Sequence, residues 1–183
     1  MNIKLPSHLG GHLHKTHTDL ETLKFLVKKF SLDTFLDVGC GTGGMVQLAK
    51  KLGLNAKGID GDFTIDRGNS EDFILHDYTK SELDAGVYDL CWSVEFLEHV
   101  EEKFINNFIK TFINCKYLII THALPGKDGH HHVNCQSEWY WISIFKSYNF
   151  KLDQETTNQI RKVSSMKKNF VRETGKFFIN NAN

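Results

Sequence analysis

The stretch FLDVGCGTGG at residues 35–44 constrains the fold of this chain more than any other part of the sequence. Its first residues are apolar or β-branched, as in a buried strand, and they run directly into a glycine cluster. Gly39, Gly41 and Gly44 fit the pattern G-x-G-x-x-G, in which the backbone turns tightly and approaches a ligand closely. A helical apolar stripe follows at once. A strand, a glycine turn and a helix in this order indicate the first unit of a parallel α/β sheet.

The remaining apolar runs alternate between strand and helix patterns. Helical stripes lie between the predicted strands, and Thr18 with Glu21 has the form of a capping box for the first helix. This alternation predicts an α/β protein with a doubly wound, mostly parallel sheet. The length of 183 residues suits a single domain over residues 1–183. Strands are predicted at residues 34–38, 55–60, 72–75, 88–94 and 116–121, with late β-like runs near 150–153 and 176–179.

Composition argues against several classes of protein. Lysine plus arginine number 22, as do aspartate plus glutamate, so no net charge draws the chain to nucleic acid or to an anionic membrane. No apolar run approaches the length of a membrane-spanning helix, and the amino terminus carries no long apolar region. The four cysteines form no CxxC pair and are expected to be free thiols in a reducing compartment. We therefore expect a cytoplasmic protein that does not associate with membranes.

Unusual polar residues and glycines fall where the predicted strands end. In doubly wound sheets, ligands bind at the carboxyl ends of the strands. Five strand ends carry such residues, which is a stronger indication of a ligand site than any one motif. These positions are residues 39–44, Asp60, Asp77, residues 93–95 and His122.

The glycine turn is compatible with two kinds of nucleotide-type ligand. Asp60 lies about 20 residues beyond the first glycine, as a ribose-binding acid does in dinucleotide sites. A dinucleotide, however, rests its pyrophosphate against the helix amino terminus. Asp37, two residues before Gly39, would place a carboxylate beside that pyrophosphate and is better suited to a ligand with an ammonium group. The glycine pattern alone leaves a dinucleotide cofactor such as NAD open.

Four segments, taken in order, resemble the class I S-adenosylmethionine-dependent methyltransferases. They read LDVGCGTGG from residue 36, GID at 58–60, HD at 76–77 and YDLCWSVEFLEHV at 88–100. The resemblance extends from about Phe35 to Thr121. It implies a Rossmann-like sheet of seven strands with the last strand antiparallel. It also implies S-adenosylmethionine as cofactor and S-adenosylhomocysteine as product.

The resemblance also implies roles for individual residues. Asp37 and the glycine turn would hold the methionine end of the cofactor, and Asp60 would accept hydrogen bonds from the ribose hydroxyls. Asp77 would bind the adenine amino group, with His76 or Tyr78 beside the ring. Ser93 would line the methionine end and the transfer site. The implied cofactor-binding residues are Asp37, Gly39, Cys40, Gly41, Gly43, Asp60, Gly61, His76, Asp77, Tyr78 and Ser93.

The segment after the fifth strand, residues 122–134, contains the candidate catalytic groups. It holds four histidines, two glycines and a proline, which is typical of a shaped functional loop. We predict His131 or His132 as the general base or acceptor-positioning group, since imidazole titrates near neutral pH. The structural alternative is that one of these histidines packs or caps the helix that begins near Ser137. The candidate substrate-binding residues are Glu95, His99, His122, His130 and His12.

Histidines also cluster in the amino-terminal segment, at His8, His12, His14 and His17. Together with residues 130–132 they could ligate a metal, as could Glu95, Glu98 and His99 after the fourth strand. Positional roles are favoured for Glu98 and His99, and no metal is predicted. We instead expect residues 1–17 to form a lid over the carboxyl edge of the sheet, with the pair Gly10-Gly11 as its hinge.

The sequence narrows the methyl acceptor only by class. Enzymes that methylate the amino groups of DNA bases typically carry Asp/Asn-Pro-Pro-Tyr/Phe after the fourth strand, where this chain has SVEF at residues 93–96. Nucleic acid is therefore disfavoured, and a small polar molecule such as a sugar or other hydroxyl compound is predicted. Two alternatives stay open: a dinucleotide-dependent oxidoreductase and a non-catalytic cofactor-binding module. Nothing in the sequence sets an oligomeric state.

Overall fold

A computed structural model describes residues 4–12 and 15–182 of the chain. Its seven strands form one sheet in the order β3-β2-β1-β4-β5-β7-β6. Strands β1 to β5 pair in parallel, and β7 pairs antiparallel with both β5 and β6. The predicted α/β fold, with a mostly parallel sheet and an antiparallel last strand, is confirmed. The strands are β1 Thr34–Val38, β2 Asn55–Asp60, β3 Phe73–Leu75, β4 Tyr88–Ser93, β5 Cys115–Ile120, β6 Phe150–Leu152 and β7 Lys176–Asn180.

Helices cover both faces of the sheet, so side chains that alternate along each strand enter two separate cores. Phe35 packs into the core beneath α1, α2, α5 and α6, whereas its neighbour Leu36 packs into the core beneath α3 and α4. Trp92 and Trp141 are buried, one in each core. The helices are α1 Leu20–Phe30, α2 Gly44–Lys51, α3 Ile105–Phe112, α4 Glu138–Ser147, α5 Gln154–Val163 and α6 Phe170–Thr174.

Two local predictions differ from the structure. The cap of α1 is Asp19 rather than Thr18, because the Asp19 carboxylate accepts the backbone N–H of Thr22 and also that of Ser165. Helix α5 has no counterpart among the predicted elements. Its buried face includes threonines, Thr156 and Thr157, which do not register as an apolar stripe in the sequence.

The amino-terminal edge of the sheet, opposite the carboxyl ends, is tied together by Asp89 of β4. Its carboxylate accepts the backbone N–H groups of Asp33 and Thr34, both at 2.9 Å, and pairs with Lys116 Nζ at 2.7 Å. Burial alone would raise the pKa of Asp89, but these hydrogen bonds lower it to about 2. The carboxylate therefore joins the starts of β1, β4 and β5.

Replacing Asp89 by asparagine is expected to lower the free energy of unfolding at pH 7 by about 1–3 kcal/mol, since two backbone donors lose a charged acceptor. The folded pKa lies below the unfolded one, so the stabilisation is complete above the unfolded pKa and disappears as pH falls toward about 2. Urea unfolding of wild type and variant at pH 7, 5 and 3 checks this. The difference should be equal at pH 7 and 5 and smaller at pH 3. Glu82→Gln, at an exposed position in the preceding loop, is the control.

Candidate active site

A cavity of about 450 Å³ lies at the carboxyl ends of β1, β2 and β4, beneath the amino-terminal segment. This volume is typical of sites for small molecules. Its walls include Asp37 and the glycine turn, Asp60, the segment after β3 and the turn after β4. Residues 8–12 and 15–17 close one side, and His130 and His132 contribute from the loop after β5. Four of the five strand ends singled out in the sequence therefore meet at one cavity.

The glycine turn between β1 and α2 requires its glycines. Gly39, Gly41 and Gly43 have φ angles of 79°, 51° and 81°, in the region that side chains disfavour. A Cβ on Gly39 would lie 2.8 Å from the Phe96 ring, and one on Gly41 would lie 3.2 Å from His12 Cβ. Gly39 and Gly41 line the cavity and Gly43 does not. Side chains at Gly39 and Gly41 would crowd Phe96 and His12, so the turn requires glycine at these positions.

Asp60, at the end of β2, accepts hydrogen bonds from the chain itself and pairs with an arginine. Its carboxylate accepts the backbone N–H groups of Gly41 and Asp62, both at 2.8 Å. Arg67, which the sequence analysis did not single out, approaches Asp60 Oδ1 at 3.1 Å and donates to the carbonyl oxygen of Gly41. Burial raises the pKa of Asp60, while these amides and the Arg67 charge oppose that rise. Each carboxylate oxygen can accept a further hydrogen bond, so a ribose hydroxyl can still bind there.

Asp37, on β1, is a buried carboxyl group without a counter-charge. It is 4% exposed and lines the cavity. Among the described residues, none forms a hydrogen bond or ion pair with its side chain, and the charged group that acts on it is the acidic Asp60 at the end of β2. Burial, and then the charge of Asp60, raise the pKa of Asp37 well above its ordinary value. A bound cation would supply the missing partner, which fits the ligand ammonium inferred from the sequence.

The segment after β3 forms the other end of the cavity. Asp77 accepts the backbone N–H of Thr79 at 2.9 Å, and His8 Nε2 lies 2.9 Å from its second oxygen. Burial alone would raise the pKa of Asp77, but the hydrogen bonds from Thr79 and His8 bring it below the ordinary value. The rings of His76 and Tyr78 meet edge to face at 4.7 Å, and both line the cavity. The three predicted adenine-site residues are thus brought together.

The amino-terminal segment lies over the carboxyl edge of the sheet. His8 contacts Asp77, and His12 Nε2 lies 3.0 Å from Asp62 Oδ2. From the loop after β5, His130 Nε2 donates to the carbonyl oxygen of Leu9 at 2.9 Å. These contacts cover the cavity from one side, where a lid was predicted. His14 lies outside the described residues.

The loop after β5 separates its histidines. His130 and His132 line the cavity, whereas His131 does not and instead packs its ring 5.9 Å from that of His8. His122 is buried beside Trp141, away from the cavity. Ser93 is also fully buried and does not line the cavity. The structure therefore does not bring Ser93, His122 or His131 to the cavity wall.

The turn after β4 carries Glu95, Glu98 and His99. Thr121 Oγ1 donates to Glu95 Oε1 at 2.7 Å, which directs Glu95 toward the end of β5. The carbonyl oxygen of Glu98 accepts the backbone N–H groups of Val133 and Asn134 and so holds the loop after β5. Burial lowers the pKa of His99 to about 4, so its imidazole is neutral at pH 7. Glu95 and His99 line the cavity beside His132.

The strand order, with its reversed seventh strand, and the ligand cavity at the ends of β1, β2 and β4 define a Rossmann-like methyltransferase fold. Residues 36–115 match the family model described as a methyltransferase domain. This match covers 80 of the chain's 183 residues and supports the resemblance to class I S-adenosylmethionine-dependent methyltransferases inferred from the sequence. This confirms the enzyme class and the cofactor predicted from the sequence, rather than a dinucleotide-dependent oxidoreductase.

Solved structures show the same fold at low sequence identity. A TehB-like S-adenosylmethionine-dependent methyltransferase from Corynebacterium glutamicum is 14% identical over 90% of each chain, with a TM-score of 0.63. The plantazolicin methyltransferase BpumL, solved with S-adenosylhomocysteine and a desmethylPZN analogue, is 16% identical over 88% of this chain and 83% of its own, with a TM-score of 0.58.

The methyltransferase domain of bacterial CtHen1 is 14% identical over 87% of this chain and 95% of its own, with a TM-score of 0.57. No curated protein matches the sequence. Within the described residues, no helix combines the length and apolar character needed to cross a membrane.

Proposed function

We propose that this enzyme transfers the methyl group of S-adenosylmethionine to a hydroxyl of a small polar acceptor, such as a sugar. The observation that carries the cofactor part is Asp37, a buried carboxyl group without a counter-charge at the cavity wall. The cofactor supplies an electrophilic methyl group on a positively charged sulfur. The acceptor part rests on the polar cavity wall formed by Glu95, His99 and His132.

In this proposal the cavity residues divide the cofactor between them. Asp37 pairs with the ammonium group, and the glycine turn lets the backbone approach the methionine end. Asp60 accepts hydrogen bonds from the ribose hydroxyls while it keeps its contact with Arg67. Asp77 accepts a hydrogen bond from the adenine amino group, with His76 and Tyr78 beside the ring.

The acceptor would lie where Glu95, His99 and His132 line the cavity, and His12 and His130 line the same cavity. The chain there provides proximity, orientation and a proton acceptor. We assign the proton acceptor to His132 rather than His131, because only His132 lines the cavity. The acceptor proton passes to its imidazole as the carbon–oxygen bond forms and the carbon–sulfur bond breaks, leaving the electron pair on sulfur.

We further propose that residues 1–17 act as a lid on a single domain. Gly10 has a φ angle of 86°, which suits the predicted hinge. The contacts of His8 and His12 with carboxylates on the sheet edge would hold the lid closed. All four cysteines are free thiols, which fits the predicted cytoplasmic location.

The test is calorimetric titration with S-adenosylhomocysteine and, separately, with NADH, on wild type and Asp60→Ala. We expect micromolar binding of S-adenosylhomocysteine and no binding of NADH. Asp60→Ala should weaken binding roughly tenfold or more, a loss of about 1.4 kcal/mol or more. Asp66→Ala removes an exposed carboxylate from the same loop and should bind as wild type.

Equal affinity of Asp60→Ala and wild type for S-adenosylhomocysteine would contradict the assignment of ribose binding to Asp60. Binding of NADH instead would contradict the proposal and the role given to Asp37. If S-adenosylhomocysteine binds as expected, assays of an array of small hydroxyl compounds with labelled S-adenosylmethionine would identify the acceptor class.

A further inference from the structure

Three potential metal ligands cluster between the turn after β4 and the loop after β5. Glu98, His99 and His132 each offer one side-chain ligand atom, and these atoms all lie within 4.8 Å of one another. The residues come from two segments of the chain that are more than 30 positions apart in sequence. His99 and His132 also line the cavity, so a cation bound between them lies at its edge.

Glu98 is the observation that distinguishes this cluster from an ordinary group of polar residues. Its side chain is fully buried, and within the described chain its carboxyl oxygens approach the backbone N–H groups of Glu98 and Ala123 and the carboxyl of Glu95, none of them with full hydrogen-bond geometry. The carboxyl of Glu95 lies beside it. No lysine or arginine of the described residues forms an ion pair with either glutamate. A buried carboxylate without a cation is costly, and metal coordination is one of the ways proteins satisfy it.

Both imidazoles are arranged as metal ligands usually are. His99 Nδ1 lies 2.8 Å from the carbonyl oxygen of His130, and His132 Nδ1 lies 2.8 Å from that of Lys127. A carbonyl oxygen only accepts, so each Nδ1 carries the hydrogen and each Nε2 keeps a lone pair. Metal-bound histidines almost always donate their other ring nitrogen in this way, which fixes the tautomer and the ring orientation.

We propose that Glu98, His99 and His132 bind a divalent first-row transition metal ion, with Glu95 available as a further oxygen ligand. Two imidazoles and a carboxylate suit Mn²⁺, Fe²⁺, Co²⁺ or Zn²⁺ better than Mg²⁺ or Ca²⁺, which prefer oxygen ligands. Three protein ligands leave coordination positions open.

One consequence rests on the proposed function. A cation bound at this site would favour acceptors that offer it an oxygen ligand. The cation would position the acceptor hydroxyl and lower its pKa, so that the proton could pass to water. His132 would then be a metal ligand, and the role of base assigned to it above would apply only to the metal-free enzyme. Metal binding itself needs neither cofactor nor acceptor, so it can be tested apart from methyl transfer.

The test is titration of the chelator-treated full chain with Co²⁺, followed by visible absorption and by calorimetry. Wild type should bind one Co²⁺ per chain with a saturable absorption band. Glu98→Gln and His132→Ala should each weaken Co²⁺ binding by at least about tenfold. His131→Ala is the matched control, because it removes the adjacent imidazole of the same loop but no member of the cluster.

S-adenosylhomocysteine binding to each metal-free variant shows whether the fold is intact. His132→Ala keeps the test valid if the buried Glu98→Gln fails to fold, because His132 is only partly buried. The proposal is overturned if wild type binds no Co²⁺. It is also overturned if His131→Ala weakens binding while His132→Ala does not, which would assign the metal to exposed histidines. Normal metal binding without cofactor binding would instead contradict the proposed function.

Discussion

Asp37→Asn is expected to weaken S-adenosylhomocysteine binding by a hundredfold or more, about 2.7 kcal/mol, while the folded chain stays as stable as wild type or becomes more stable. The loss follows because the amide keeps the shape of the side chain but cannot pair with the ligand ammonium in a buried site. The stability follows because burial raises the pKa of Asp37, so ionising it in the folded chain costs free energy that asparagine does not.

The pH dependence gives a second signature of the same residue. Wild-type affinity should fall as pH drops through the raised pKa of Asp37, since only the ionised carboxyl pairs with the ammonium. Asp37→Asn should lack this dependence. Calorimetry from pH 5 to 9, in two buffers of different ionisation enthalpy, measures both the affinity and the protons released on binding.

Asp89→Asn is the matched control, because it should show the opposite pattern. Asp89 lies at the amino-terminal edge of the sheet, away from the cavity, so its loss should lower stability and leave ligand affinity unchanged. If Asp37→Asn binds S-adenosylhomocysteine with an affinity within twofold of wild type, the assignment of the ligand ammonium to this residue is wrong. Joint loss of stability and binding would show that Asp37 has a structural role.

The double variant His8→Ala with His12→Ala is expected to release S-adenosylhomocysteine about tenfold faster or more. It removes two hydrogen bonds from the amino-terminal segment to Asp77 and Asp62 on the sheet edge. Each such bond contributes about 0.5–1.5 kcal/mol, or more when one partner is charged. Because these contacts hold the segment over the cavity, their loss should increase the rate of opening.

Stopped-flow displacement of a fluorescent cofactor analogue measures this release rate. Lys4→Ala, at an exposed position of the same segment, should release at the wild-type rate. An unchanged release rate in the double variant would contradict the proposal that the amino-terminal segment acts as a lid. Slower release and tighter binding would mean that His8 competes with the adenine for Asp77.

Much of the site could be predicted because it is encoded locally. The strand that ends in Asp37 and the glycine turn is recognisable from consecutive residues, and parallel strands bring their carboxyl ends to one edge. Asp60 and Asp77 follow from the same rule, since each ends or follows a strand. The alternation of strands and helices followed from the period of apolar residues, whereas the seven-stranded sheet with its antiparallel last strand was implied by the family resemblance.

Other features depend on packing between distant segments and could not be read from the sequence. Arg67 reaches Asp60 from a loop with no motif of its own, and His8 reaches Asp77 across 69 positions. His131 and His132 are adjacent, yet a φ angle of 47° at His131 helps place one ring against His8 and the other at the cavity.

The sequence by itself determined the alternation of strands and helices and the strand ends that carry the site, because these follow from short-range patterns and the geometry of parallel strands. Its four short motifs indicated the enzyme class by their resemblance to a known family. Only the tertiary structure decided which polar side chains at those ends face the cavity. Ser93 and His122 lie in the interior although they stand at strand ends. Glu98 joins His99 and His132 only because the loop after β5 packs back onto the turn after β4.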